Sequence, residues 1–306
     1  MSTRRKLLDI IKEKMEFKNY SLKTQKNYRW WIKKYIIYHQ KKHPMEMGKE
    51  ELETFLKHLK IEKKLSPTSQ NQALNAIIFL YEDVLNIPMK NQNLKTLRIK
   101  REDNKPIILT KEELNQLFYY MSGIYKLMAI LMYGCGLRMK ELINLKIKNI
   151  NFKENKLHIQ ERIMPLPKKI IEDLSIHIKE IQRIYLEDLN QGYGYIYEGN
   201  REIKDQFLFP MKKVILDEKN NKMVRLKITD KTFGRNVKDA AIKANLDKKV
   251  SANTLRHSYA THMIQNGIDV KTLQKLLGHK ESATTMIYVH IVRELNKNNL
   301  SSPLDF

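Results

Sequence analysis

Five residues in the last 170 positions have types and spacings that could act together on a phosphate. Arg138 follows a glycine-rich turn in "GCGLRMKELINL", with Glu141 one helical turn further on; Arg256 sits in "NTLRHSYATHM"; His279 ends "LQKLLGHKE"; and Tyr288 lies nine residues later in "TTMIYVHI". Each has an ordinary reading when taken singly. Arg and Glu at i, i+3 commonly make a solvated ion pair worth a few tenths of a kcal/mol. A histidine after a terminal glycine is commonly a helix cap, and a tyrosine among Met, Ile and Val commonly packs. As an ordered set they match what a tyrosine would need to cleave a phosphodiester. A phenol has a pKa of about 10 and attacks poorly unless the phosphate is made electrophilic. Two arginines on the non-bridging oxygens and a histidine donating to one of them would stabilise the charge of a pentavalent transition state. Glu141 would hold the Arg138 guanidinium, leaving its fork for phosphate. The leaving 5′ oxygen would need a proton from a general acid such as Lys or His.

The elements that must position these groups are mostly helices. Residues 1–87 show helical periodicity only: "RKLLDIIKEKM", "SLKTQKNYRWWIKKYIIYHQ" after a Ser21 cap, "KEELETFLKHL" after Gly48, and "LSPTSQNQALNAIIFLYEDVL". The last opens on Ser66 as cap and Pro67 at the first helical position, with Leu74, Ile77, Ile78, Tyr81 and Leu85 on one side. Four helices predict a small bundle. Residues 88–105, polar and basic, read as an interdomain linker. A second domain over 106–300 opens with a Thr110 cap and runs through "YKLMAILMYGCGLRMKELINL". One convincing β region follows, "KNINFKENKLHIQERIMPLP", predicting two or three short strands broken at "KENK". Next come the helix "KKIIEDLSIHIKEIQRIYLEDLNQ", a Gly/Tyr stretch over 192–199, a polar loop around 217–222 and four further helices; residues 301–306 form a tail. The fold class expected is mainly α with a small β-sheet, α+β.

Composition narrows the partners. A chain of 306 residues exceeds the roughly 250 at which single cores stop growing, which favours two domains. The 57 Lys and Arg against 34 Asp and Glu leave a net charge of +23, which asks for a polyanion such as nucleic acid. Abundant Lys, Asn and Ile also reflect an AT-rich coding bias, but bias alone would not leave carboxylates so outnumbered. The excess is shared: residues 1–105 carry 24 basic against 12 acidic side chains, so both halves are basic and could close on a duplex. The single Cys135 cannot form an internal disulfide, no Cys/His spacing suggests a metal, and no signal peptide is evident. The longest apolar run, "LMAILMYGCGL", is 11 residues, short of the about 20 a bilayer requires. A soluble, cytoplasmic protein without a cofactor is expected.

The ordered motifs resemble those of the tyrosine recombinase family, also called phage integrases, and within it the integron integrases. "YGCGLRMKELINL", "NTLRHSYATHMIQNGIDVKTLQKLLGH" and "SATTMIYVH" carry the catalytic-domain likeness. "YSLKTQKNYRWWIKKYIIYH" and "SPTSQNQALNAIIFLYEDVL" resemble the family's N-terminal core-binding domain, and "HIKEIQRIYLEDLNQGYG" with the closing "SSPLDF" resembles integron integrases. The resemblance implies Arg138 and Arg256 as phosphate-binding arginines, His279 as the Leu-Gly-His histidine, Tyr288 as nucleophile, Glu141 as a supporting acid and His257 in a mainly structural role. It further implies a bacterial, nucleoid-associated enzyme: two domains clamped on DNA, a homotetramer on two duplex or folded single-stranded sites, a 3′-phosphotyrosyl intermediate, and integration or excision of gene cassettes. Three departures stand out. The family hairpin places a catalytic lysine before its Pro-Leu-Pro ending, whereas "LHIQERIMPLP" runs from Gln160 directly to Glu161 and Arg162, leaving only Lys153 and Lys156 in the preceding turn. Asn253 replaces the usual histidine ahead of the second arginine. The segment "EGNREIKDQFLFP" is shortened where integron integrases hold an extra helix for folded recombination sites. Reduced activity follows as an expectation, and a catalytically impaired remnant acting only as a DNA-binding protein is the alternative.

Overall fold

A computed structural model describes residues 7–88, 105–193, 202–218 and 221–295. The chain divides into two units, Met1–Asn104 and Lys105–Phe306. Most of the expected linker (89–104), most of the Gly/Tyr stretch (194–199) and the tail (301–306) lie outside the described residues.

In the first unit the helices are α1 (Leu7–Phe17), α2 (Leu22–Tyr38), α3 (Lys49–Ile61) and α4 (Pro67–Phe79), the last continuing into a π-helical turn, Leu80–Val84. Their starts are set by local chemistry. The Ser21 hydroxyl accepts from the Thr24 N–H and the Ser66 hydroxyl from the Ser69 N–H, while the Glu51 carboxylate accepts from the Gly48 N–H. The apolar faces meet around Ile11, Met15, Ile32, Tyr35, Leu52, Phe55, Leu74 and Ile77, all buried. Two phenols inside this core are chained: Tyr81 donates to the Met47 carbonyl, so Tyr35 donates to Tyr81. Ile78 and Leu85 pack at its margin.

The second unit is built on α5 (Lys111–Tyr119), α6 (Gly123–Cys135), the short α7 (Met139–Ile143), a three-stranded antiparallel sheet of β1 (Ile150–Asn151), β2 (Lys156–Ile159) and β3 (Arg162–Pro165), and α8 (Ile171–Asn190). A two-stranded hairpin, β4 (Ile215–Asp217) with β5 (Lys222–Val224), precedes α9 (Asp230–Lys243), α10 (Ala252–Gln265), α11 (Val270–Leu277) and α12 (Ser282–Leu295). Thr110 and Glu113 form the capping box of α5. The ends of the polar loop expected around 217–222 are Asp217 of β4 and Lys222 of β5, which pair with each other; the two strands are only three residues each, too short for alternation to show in sequence. The segment 202–210 holds one 3₁₀ turn, Ile203–Asp205, rather than a longer helix.

The sheet register governs what reaches the site. Leu157 pairs with Met164 and Ile159 with Arg162, so Leu157, Ile159, Met164 and Arg162 share the core-facing side, while Ile163 points outward and is exposed. β2 and β3 are joined by only Gln160 and Glu161; Gln160 takes a positive φ of 52°, the geometry a two-residue hairpin demands. A separate small cluster of Tyr259, Ala260, Leu273, Leu277 and Tyr288 ties α10, α11 and α12 together.

Candidate active site

Arg138 is placed by the end of α6. Gly136 terminates that helix in the left-handed conformation, φ 58°, and a Cβ there would lie 2.3 Å from the Tyr259 ring, so only glycine satisfies both the dihedral and the space. Two residues later Arg138 caps α7 in extended conformation. The Glu141 carboxylate reaches back, accepting from the Arg138 N–H at 2.8 Å and from its Nη1 at 2.8 Å. The Arg138 Nη2 donates to the Gly278 carbonyl at 2.5 Å, and about two-fifths of the side chain stays exposed (42%).

Arg256 rises from the centre of α10 and is 5% exposed. Its guanidinium donates to the Gly136 carbonyl at 2.6 Å and to the Leu277 carbonyl at 2.7 Å, bridging the ends of α6 and α11. Glu141 lies 3.9 Å away. Burial, and then the neighbouring Arg138 charge, pull the Arg256 pKa down to about 10, so it remains a cation at neutral pH. On Glu141, burial pushes the carboxyl up, but the Arg138 N–H and guanidinium and the Arg162 charge outweigh it and hold the group ionised below the usual carboxylate range.

His279 follows the left-handed Gly278 that ends α11. Its Nε2 lies 3.0 Å from Arg256 Nη2 and its Nδ1 2.8 Å from the Thr285 hydroxyl. A guanidinium can only donate, so Nε2 accepts and Nδ1 carries the proton toward Thr285. Burial and the charges of Arg256, Arg138 and Arg162 drive the His279 pKa down to about 4, keeping the ring neutral. Tyr288 stacks near this ring, centroids 6.4 Å apart, and is 4% exposed. Its hydroxyl lies 2.9 Å from His257 Nδ1. Burial raises the phenol pKa, with Arg256 and Arg138 pulling the other way. Cys135, the other conceivable nucleophile, is buried and its thiol is pushed up to about 12.

Of the residues singled out in sequence, Arg138, Glu141, Arg256, His257, His279 and Tyr288 therefore converge. Asn253 does not: it is exposed on the first turn of α10 and makes no hydrogen bond to any of them. Lys156 points away on β2, paired with Glu154 at 2.7 Å. Two residues escaped the sequence reading. Arg162, on the inward face of β3, places Nη2 2.6 Å from Glu141 and donates from Nη1 to the Leu276 carbonyl at 2.6 Å; Gly278 lacks a Cβ where the Arg162 side chain passes, 2.8 Å from where one would sit. Its alternation with Met164 was the available signal. Thr285, fully buried one turn before Tyr288, fixes the His279 ring. Three guanidinium charges thus surround one carboxylate, an excess of two positive charges in a partly dry site. Among the described residues, no group of three or more His, Cys, Asp or Glu could hold a metal ion, and no helix is long and apolar enough to cross a membrane.

Comparison with known proteins adds an independent line. Residues 108–294 match the phage integrase family and residues 7–91 the phage integrase N-terminal SAM-like domain. An integrase/recombinase of Escherichia coli is 30% identical, covering 98% of this chain and 93% of its own length. The tyrosine recombinase XerA of Thermococcus onnurineus is 28% identical over 73% of this chain and 72% of its own. Among solved structures, the Tn1549 transposon integrase in complex with transposon right-end DNA superposes with a TM-score of 0.70 at 15% identity, covering 97% of this chain and all of that one (100%). The XerH recombinase bound to palindromic difH substrate gives 0.64 at 20% identity, over 96% of this chain and 84% of that one. At such identities the structural likeness establishes the fold.

Proposed function

Because this chain belongs to the phage integrase family and is a tyrosine recombinase for site-specific DNA recombination, we propose that it integrates and excises integron gene cassettes through a 3′-phosphotyrosyl bond to Tyr288. The observation that carries the chemistry is the convergence of Arg138, Arg256 and Arg162 on one carboxylate beside His279 and Tyr288. A phosphodiester carries one negative charge and its pentavalent transition state two, so the site's excess of two positive charges suits the transition state better than the ground state.

In the proposed reaction Arg138, exposed and held from behind by Glu141, and Arg256 take the non-bridging oxygens of the scissile phosphate. His279 orients Arg256 until phosphate arrives. Once Nδ1 has lost its proton to solvent and Nε2 has gained one, the Thr285 hydroxyl rotates to donate to Nδ1 and the Nε2–H donates to the same oxygens. Tyr288 Oη forms a bond to phosphorus as the bond to the 5′ oxygen breaks. The phosphodiester energy is kept in the phosphotyrosyl linkage, so neither ATP nor a cofactor is consumed. DNA is the partner, with a homotetramer holding two sites, and the cytoplasm is the setting.

A second reading, a remnant that binds DNA without exchanging it, is favoured by the two-residue turn Gln160–Glu161, which carries no lysine toward the site. Losing a general acid typically costs roughly 10² to 10⁴ in rate. The test is a two-plasmid exchange assay using DNA neighbouring the gene as recombination sites. Exchange of the sites supports cassette recombination; binding without any exchange supports the remnant.

A further inference from the structure

The departure at Asn253 removes a histidine from the start of α10, yet a different histidine already touches the phenol. We infer that His257 is the general base of this enzyme, taking the Tyr288 proton through Nδ1 as the phosphotyrosyl bond forms; the inference rests on Tyr288 being the nucleophile. Its foundation is geometric. Nδ1 lies 2.9 Å from the Tyr288 hydroxyl, with the rings tilted at 41° and centroids 5.8 Å apart, so the phenol proton has an acceptor within direct transfer distance. The other candidates are committed elsewhere. His279 Nε2 accepts from Arg256 and its Nδ1–H is spent on Thr285. Both Glu141 oxygens are held by Arg138 and Arg162. Asn253 is exposed and in any case cannot carry a proton.

His257 is also in the right state. It is half-buried, next in sequence to the buried Arg256 cation, and burial and that charge hold its pKa below the ordinary value, so the ring is neutral and its lone pair free at neutral pH. A weak base of this kind does not make a free tyrosinate in the resting enzyme. It takes the proton as the oxygen–phosphorus bond develops, when the phenol is acidified by the attack itself. The atoms balance as follows: the Tyr288 O–H bond breaks and its proton passes to Nδ1; the Oη–phosphorus bond forms; the phosphorus–5′-oxygen bond breaks and that oxygen takes a proton from water, releasing hydroxide to the solvent. On rejoining, a 5′-hydroxyl attacks phosphorus, the phenolate leaves and recovers the proton from the His257 imidazolium, and the 5′-hydroxyl returns its proton to water.

The test is single-turnover adduct formation on a nicked suicide substrate by the full chain, with DNA affinity measured alongside. His257→Gln keeps a hydrogen-bond acceptor for the phenol but no site for a proton, so a merely structural role would leave the rate near the parent's. The base assignment expects His257→Gln and His257→Ala to slow adduct formation by roughly 10² to 10⁴ with DNA affinity intact. It further expects trifluorotyrosine at position 288, a more acidic phenol, to recover most of the loss in His257→Gln. Parent-like or faster rates in His257→Gln, or no recovery with the fluorinated phenol, overturn the assignment. An absence of adduct from the parent chain instead overturns the tyrosine chemistry of the proposed function, and the base with it.

Discussion

Tyr288 sits in a nearly closed apolar seam, and the contact of its hydroxyl with His257 is what separates it from packing. Tyr288 shares a cluster with Tyr259, Leu273 and Leu277, so "TTMIYVHI" reads correctly as a packed helix face; only the arginines and histidines brought by other elements give its hydroxyl a chemical setting. The sequence order of Arg, Arg-His, Gly-His and Tyr made the residues that meet at the candidate site legible, whereas Arg162 and Thr285 were not, because their placement depends on a strand register and a ring orientation that no motif states. Arg256 shows how function and stability are joined at one residue. Arg256→Ala strands the Gly136 and Leu277 carbonyls, at roughly 1–3 kcal/mol for each buried group left unpaired; urea unfolding should show the loss, and adduct formation should vanish. His279 gives a pH signature. Its folded pKa of about 4 lies below the unfolded value of about 6.5. The unfolded chain therefore binds the proton first as pH falls, and stability drops progressively from about pH 6.5 down to about pH 4. Thermal unfolding between pH 7 and pH 5 should show a shallower fall in His279→Gln than in the parent.

At the scale of elements, the site hangs on two left-handed glycines and one short hairpin. Gly136→Ala must tolerate φ 58° and a 2.3 Å approach to the Tyr259 ring. A cost of about 2–4 kcal/mol follows from the left-handed strain and the overpacking together, and displacement of Arg138 should weaken cleavage even in the molecules that fold. The β2–β3 connection within "LHIQERIMPLP" consists of Gln160 and Glu161 alone. Replacing Gln160–Glu161 with a longer, lysine-bearing turn should accelerate adduct formation, by up to roughly 10² to 10⁴ if the lysine reaches the leaving oxygen; no acceleration would locate the acid elsewhere. The helices were legible from caps and periodicity because Ser21, Ser66, Thr110 and Gly278 act locally. The β4–β5 hairpin was not, because three-residue strands carry too little pattern.

For the whole molecule, charge is the property that composition announced and the fold distributes. Both halves are basic, with a net charge of +23 overall, so DNA affinity should fall linearly in log–log form with salt. For 6–10 phosphate contacts the loss would be about 10³ to 10⁵ between 50 and 200 mM. A flat titration would mean that the charge is not used on phosphates. Composition could not say which surface faces DNA or that six of the candidate residues would meet at one place; that information lies in the long-range pairing of α6, α10, α11 and α12, which bring Gly136, Arg256, Leu277 and Tyr288 together. We propose that the site these elements assemble makes Tyr288 a nucleophile. This is tested most directly by incubating the full chain with a nicked suicide substrate and resolving the products on a denaturing gel, followed by peptide mapping. A covalent protein–DNA species mapped to Tyr288 is expected, lost in Tyr288→Phe while DNA binding persists. No covalent species from the parent chain, or one that survives Tyr288→Phe, would contradict it.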